Sequence, residues 1–286
     1  MRPRQWTKNA FIFAPIVFDG QLNRPGSMIR VLAGFVMLCL TASTIYLIND
    51  VVDVEKDKLH PKKKFRPIPA GILPIPIAIG AAVVLPIIAL AASFAFSPPL
   101  AIVILAYLIL HIAYSFYLKN IVIIDVFAIA AGFILRVVAG AVVITVSNFS
   151  PWLYVCAGTL SLFLAVGKRR QELLLLAGNA ADVRITYKEY NLPLLDDMLR
   201  MVTTSTVLSY TLYTFEAKTS LAPNVLLLTV PFVVWGIFRY LYLIHVKGEG
   251  GAPDELLFKD RPLLIDILLF GVVTVYLLYI SPLVSR

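Results

Sequence analysis

Apolar runs of about twenty residues recur along almost the whole of this 286-residue chain, each stopped by proline, glycine or charge. A run of that length is stable in hydrocarbon as a helix, where every backbone N–H and C=O is satisfied within the segment. Nine runs can be marked, near residues 6–22, 27–49, 72–96, 99–118, 121–146, 152–176, 194–216, 223–246 and 263–284. They predict an all-α, polytopic membrane bundle of about nine transmembrane helices, built as a single domain over residues 1–286. With 59% of its residues hydrophobic, the chain carries far more apolar surface than a water-soluble core could enclose. The opening stretch MRPRQWTKNAFIFAPIVF has the basic start and apolar run of a signal peptide. No small-residue cleavage site precedes Asp19, so it is expected to remain as the first helix.

The net charge of +8 would suit nucleic acid, but the cations lie in short inter-helix loops with no soluble module to carry such an interface, so no nucleic-acid partner is expected. Topology explains the charge. Arg2, Arg4, Lys8, Lys119 and the loops at 50–70, 168–193 and 247–262 fall on one side; Arg24, Arg30, Lys218 and Arg286 fall on the other, an asymmetry of about four to one. The positive-inside rule then puts the N-terminus and the long loops in the cytoplasm and the C-terminus outside, in an inner or plasma membrane. Cys39 and Cys156 lie inside apolar runs and read as small core residues, neither a disulfide nor a metal pair.

Chemistry is expected at residues 46–71, YLINDVVDVEKDKLHPKKKFRPIPAG, where an apolar run ends in carboxylates and then in cations. If the helix continues, Asn49, Asp53 and Asp57 share one face with Asp50 beside it. Acids gathered at a membrane helix end repel one another unless something positive neutralises them, and Mg²⁺ shared with substrate phosphates is the usual solution. Lys62, Lys63, Lys64 and Arg66 follow at once, and Arg66 is stiffened by Pro61, Pro67 and Pro69. A metal on the acids with basic groups over the remaining phosphate oxygens makes a diphosphate site. The plainer reading, a solvated cytoplasmic loop, suits the lysines better than it suits acids in helical register with a span.

Further candidates lie downstream. Asp125 and Arg136 sit inside a span, where ionisable groups need a partner or a watery cavity; Asp125 reads equally as a substrate group or as half of a structural ion pair, and Arg136 reads as structural. Gly132, Ala139 and Gly140 share a side of that helix and allow close packing. A second basic loop starts with AVGKRRQELLLL and runs through Arg184, Tyr187, Lys188 and Tyr190. Lys168 and Glu172, one turn apart, and Arg184 read as functional groups against an alternative of solvated topology signals. Asp196 and Asp197 are expected to open a helix, where acids suit the dipole. His60, one turn past Asp57, is a candidate for the acid site, whereas His111 and His245 read as helix-end residues. No Ser/His/Asp triad, Cys/His zinc site or glycine-rich phosphate loop is present.

NDVVDVEKD at 49–57, trailed by HPKKKFRPIPAG, resembles the NDxxDxxxD signature of UbiA-superfamily membrane prenyltransferases, and the nine-helix layout fits them along the whole chain. Within that superfamily, RPRQWTKN at 2–9, HPKKKFRPIPAG at 60–71 and YSFYLK at 114–119 look most like the decaprenyl-phosphate phosphoribosyltransferase family. Its members move phosphoribose from phosphoribosyl pyrophosphate (PRPP) to a polyprenyl phosphate, for the arabinose donor of mycobacterial-type cell walls. The resemblance implies that Asn49, Asp50, Asp53 and Asp57 hold Mg²⁺ and pyrophosphate, with Lys63, Arg66, Tyr114 and Lys119 around the substrates.

One departure is specific. Ordinary prenyltransferases of the superfamily show a second aspartate pair, spaced DxxxD, in the second loop, and here its nearest counterpart is Lys168 to Glu172. A cation in the first place makes the site more positive, which suits a donor bearing a phosphate and a pyrophosphate and an acceptor bearing a third phosphate group. The expectation is therefore an Mg²⁺-dependent transferase whose substrates are PRPP and a polyprenyl phosphate and whose other partner is the bilayer; self-association into a homo-oligomer is left open. Two rivals stand beside it. Prenyl transfer from a prenyl diphosphate would use the same acids, and a transporter would show polar residues at mid-membrane depth.

Overall fold

The structure is a computed structural model, and it describes residues 3–59, 63–146, 150–175, 185–217, 224–249, 256 and 259–280. Among them there are helices and turns and no strand. A 3₁₀ stretch, Pro3–Phe13, leads into the short α1 (Ala14–Phe18); then come α2 (Pro25–Val52), α3 (Val54–Leu59), α4 (Ile75–Phe96), α5 (Pro98–Phe116), α6 (Ile124–Ile144), α7 (Pro151–Leu175), α8 (Leu192–Glu216), α9 (Val230–His245) and α10 (Arg261–Val275). Among the described residues seven helices are long and apolar enough to cross a membrane, which makes this an all-helical, polytopic membrane protein.

Two of the nine expected spans take another form. The stretch near 6–22 is mostly 3₁₀ helix, and the buried Asn9 interrupts its apolar character. α8 is helical over 25 residues but less apolar, because Asp196, Asp197 and Arg200 ride on its first turns.

Proline sets where the helices begin. α2, α4, α5, α7, α8, α9 and α10 each carry one in their first two positions, where the missing N–H has no partner to lose. α4 is apolar on every face, and Ile77, Ile79, Val83 and Ile87 stand exposed along it, as they would toward lipid.

The contacts divide the chain into two compact units. The first comprises residues 1–16, 24–117 and 135–145. There α2 packs on α4 and α5, over a core that includes Leu38, Leu100, Ile104 and Tyr107. A Cβ added at Gly140 would lie 2.0 Å from the Ile12 carbonyl oxygen, so only glycine admits this approach, as the small-residue pattern of α6 predicted.

The second unit comprises residues 17–23, 118–134 and 146–286. α7 lies along α8, α9 along α10, and the core gathers Val126, Phe163, Val166, Leu195, Tyr240 and Ile244. Tyr279 donates to the Val17 carbonyl at 2.5 Å and accepts from the Leu22 N–H at 3.3 Å, which ties the far end of the chain to residues 17–23.

Candidate active site

The acid run keeps its register through a break. α2 ends at Val52, Asp53 serves as its C-cap with φ −93° and ψ 8°, and α3 follows. The Asp53 N–H still donates to the Asn49 carbonyl at 2.9 Å, and the Asp57 N–H to the Asp53 carbonyl at 2.8 Å. The helical ladder therefore steps through the turn, and Asn49, Asp53 and Asp57 remain one turn apart. Asp50 and Asp57 are 6% and 2% exposed, while Asn49 and Asp53 are half-buried.

Two buried carboxylates at a helix end require compensation. Arg66 contributes through a single nitrogen: Nη1 donates to Asp50 Oδ1 at 3.1 Å and to Asp57 Oδ2 at 2.5 Å. The arginine is held by its neighbours. Its carbonyl accepts from the Ala70 N–H at 2.9 Å, the Pro67 carbonyl accepts from the Leu73 N–H at 2.9 Å, and Ile68 is buried against Leu47 and Ala78. The Arg66 side chain remains 28% exposed, against 9% and 3% for those of Asp50 and Asp57.

This arrangement is a test of fit for a divalent ion. The donors of Asn49, Asp50, Asp53 and Asp57 are all oxygens, the hard ligands that magnesium takes. A positive group already stands between Asp50 and Asp57, so the position is built for a cation. No three acidic, His or Cys groups converge as a ready metal cage among the described residues. Magnesium at phosphate-transfer sites needs only one or two carboxylates, with phosphate and water completing its shell.

The other predicted residues fall in several places. Tyr114 lies on the last turn of α5, half-buried; Lys119 lies half-buried in the 3₁₀ turn Leu118–Asn120. His60 and Arg184 lie outside the described residues, and of Lys63 only the backbone, in the turn Lys63–Phe65, is described.

In the second unit Asp125, Glu172 and Tyr187 come together around a residue that the sequence reading passed over. Arg169, 2% exposed, donates from Nε to Asp125 Oδ2 at 2.8 Å and from Nη1 to Glu172 Oε2 at 2.6 Å. The Tyr187 hydroxyl donates to the same Glu172 oxygen, and Lys168 Nζ stands 3.9 Å from Oε1 while keeping 39% of its side chain exposed. Tyr190 completes the set by donating to Asp125 Oδ1 at 2.7 Å and accepting from the Ile123 N–H at 2.8 Å. Ile123 has φ +70°, a strained value for a β-branched residue, and the tyrosine holds it there. Burial pushes the Tyr190 hydroxyl well above its usual range, and its bond to the Asp125 carboxylate adds to the shift. Arg169 stands three residues before Glu172, on one helical face, but Lys168 four residues before shares that face, so the spacing alone did not single out the arginine.

Arg136 belongs to a third cluster, inside the first unit. It donates to Asn9 Oδ1 at 2.8 Å and to Tyr107 Oη at 2.7 Å, with its guanidinium 4.8 Å from the Tyr107 ring centre, and Asn9 donates in turn to Cys39 Sγ at 3.2 Å.

The helix-opening role expected of Asp196 and Asp197 passes to Asn191, whose side chain accepts from the Leu194 N–H at 2.9 Å. Pro193 lets α8 start four residues earlier than the acids, so Asp196 is available to pair with Arg170 at 2.5 Å and Asp197 with Arg200 at 2.6 Å. His111 likewise stands inside α5, its ring 4.0 Å from that of Tyr107, and not at the helix end.

Fold and site together define an integral-membrane helical protein with an oxygen-rich acid cluster under a guanidinium. The model of the UbiA prenyltransferase family matches residues 16–258, and the chain belongs to that family. It is 37% identical, over 99% of its own length and 86% of the relative's, to a protein of Corynebacterium glutamicum named decaprenyl-phosphate phosphoribosyltransferase. A Mycobacterium tuberculosis protein of the same name is 34% identical over 92% of this chain and 87% of its own. Among solved structures, a UbiA homolog from Archaeoglobus fulgidus bound to GPP and Mg²⁺ superposes with a TM-score of 0.73, covering 96% of this chain and 97% of that one at 17% identity. The same homolog bound to DMAPP and Mg²⁺ gives 0.73 as well, and this likeness establishes the fold.

Proposed function

We propose that the protein transfers phosphoribose from PRPP to a polyprenyl phosphate, with release of pyrophosphate, as one membrane transferase domain whose N-terminus and acid cluster face the cytoplasm. The observation that carries this reading is the 37% identity, over nearly the whole chain, to a protein named decaprenyl-phosphate phosphoribosyltransferase. The cluster of Asp50, Arg66 and Asp57 supports it with a site built for charge exchange.

In the proposed reaction an oxygen of the lipid phosphate attacks C1 of the ribose, the new C1–O bond forms, and the bond from C1 to pyrophosphate breaks with its electron pair leaving on pyrophosphate. The nucleophile is already an anion near neutral pH, so no side chain has to remove a proton. The work of the protein is positioning and charge stabilisation. Asn49, Asp50, Asp53 and Asp57 would hold Mg²⁺, which when bound neutralises charge on the pyrophosphate. Arg66, Lys63 and His60 are assigned to the donor's phosphate oxygens, Lys119 and Lys168 to charge that develops as the bond breaks, and Tyr114, Tyr187 and Arg184 to holding the substrates. The bonds of Asp125 and Glu172 to Arg169 support a positioning role for both carboxylates, one step behind Lys168. The product would serve as the lipid-linked precursor of a cell-wall arabinose donor.

A second reading is transfer of a prenyl group from a prenyl diphosphate, favoured by the structural likeness to a homolog solved with GPP and with DMAPP. Labelled PRPP and labelled GPP, each offered to the purified protein with decaprenyl phosphate and Mg²⁺, separate the two. Label from PRPP should pass to lipid with one pyrophosphate released per transfer; label passing only from GPP would replace this proposal with the second.

A further inference from the structure

We infer that Arg66 is an exchangeable counter-ion: it bridges Asp50 and Asp57 while they hold no metal, and it is given up to the donor's phosphates when a divalent cation takes those carboxylates. The inference rests on the metal and donor reading above and goes beyond it to the order of events. One nitrogen, Arg66 Nη1, serves two carboxylates at 3.1 and 2.5 Å, so a cation that coordinates those oxygens must compete with the guanidinium. Both carboxylates are buried to within a few per cent of fully, so bulk water does not take the place of the guanidinium when it leaves.

The arginine is not similarly trapped. Its backbone is anchored by the bonds of Ala70 and Leu73 and by buried Ile68, but its side chain is 28% exposed, so it has solvent-facing space to move into. A guanidinium displaced from two carboxylates keeps its charge and its fork of donors, which match phosphate oxygens. Metal binding therefore frees the group that binds donor, and bound donor stabilises the displaced arginine. By linkage each ligand must tighten the other. The same contact that helps the pair to bind opposes the metal alone.

The test is Mn²⁺ binding to the purified full chain in detergent, read by electron paramagnetic resonance, with and without PRPP and, separately, with and without inorganic pyrophosphate. In the parent protein either anion should tighten Mn²⁺ by about tenfold, the usual order for coupled sites. Arg66→Gln, which removes the charge, should bind Mn²⁺ several-fold more tightly than the parent when no anion is present, and should show a smaller coupling, reduced to the direct attraction of metal for anion. Arg66→Lys, which keeps a point charge, should fall between them. Equal or weaker Mn²⁺ binding by Arg66→Gln alone overturns the inference, as does an absence of coupling in the parent, which decides the matter if the glutamine variant does not fold. Coupling with pyrophosphate but none with PRPP would count against PRPP as donor and leave the exchange intact.

Discussion

Arg169 Nε and Asp125 Oδ2 stand 2.8 Å apart, with 2% and none of their side chains exposed. A pair buried this deeply is more dangerous to break than it is profitable to have, because removing one partner strands the other's charge. Arg169→Leu should destabilise the protein by about 3–5 kcal/mol, whereas the Asp125→Asn, Arg169→Leu double variant should recover part of that loss. Thermal unfolding of the four proteins in one detergent checks it, and an additive double variant would show that the pair is not coupled.

Tyr190 gives the same cluster a pH limit. Its folded-state pKa is raised, by burial first and by the Asp125 carboxylate second, so the contribution is complete below the ordinary tyrosine pKa of about 10 and is lost as pH rises toward the folded value. Stability should fall more steeply above that pH in the parent than in Tyr190→Phe, which has no proton to lose there. Melting temperatures between neutral and strongly alkaline pH give the comparison; parallel curves would remove Tyr190 from the account.

Among the acids, burial separates Asp57 from Asp53. Asp53→Asn should lower turnover by at least tenfold with little change in melting temperature, since the side chain is half-exposed. Asp57→Asn should lower turnover and also shift the melting temperature, because it leaves Arg66 with one carboxylate. Removing metal with EDTA should stop the reaction and Mg²⁺ restore it; full activity in metal-free buffer would end the metal proposal.

Lys168 separates the two transfer reactions. As a phosphate contact, its replacement by alanine should raise the apparent KM for PRPP or the lipid phosphate, and Lys168→Asp should be worse because it adds repulsion. Prenyl transfer expects Lys168→Asp to keep or improve activity with GPP. Both variants should be measured with both donors at saturating Mg²⁺.

Gly140→Ala should cost about 1–3 kcal/mol, since the new methyl would press on the Ile12 backbone and α6 would have to move. Gly80→Ala, where a Cβ meets nothing within 4 Å, is the matched control.

What was legible in the sequence was whatever period and charge could carry. Seven of the nine spans are written in apolar runs, and the register of Asn49, Asp53 and Asp57 in their spacing; the 3₁₀ form of the first stretch, the charged opening of α8 and the turn at Asp53 were not. The pairing of Arg66 with Asp50 and Asp57 was not readable, because a basic loop next to an acid run fits a solvated loop equally well until the backbone folds back. Arg169 was hidden for another reason. Among three consecutive charges, Lys168, Arg169 and Arg170, only the phase of α7 decides which one turns inward, and apolar residues on every side of that helix leave its phase undetermined.

The prolines that open seven of the long helices bear on bilayer thickness. A helix with an unconstrained start can wind in another turn when the membrane is thick, but proline disfavours helical geometry in the residue before it. These helices have lengths fixed at one end, so a thicker or thinner membrane has to be met by tilting or by deformation of the surrounding lipid. Reconstitution in lipids of graded acyl length should therefore change helix orientation, read by oriented infrared dichroism, while helix content from circular dichroism stays constant.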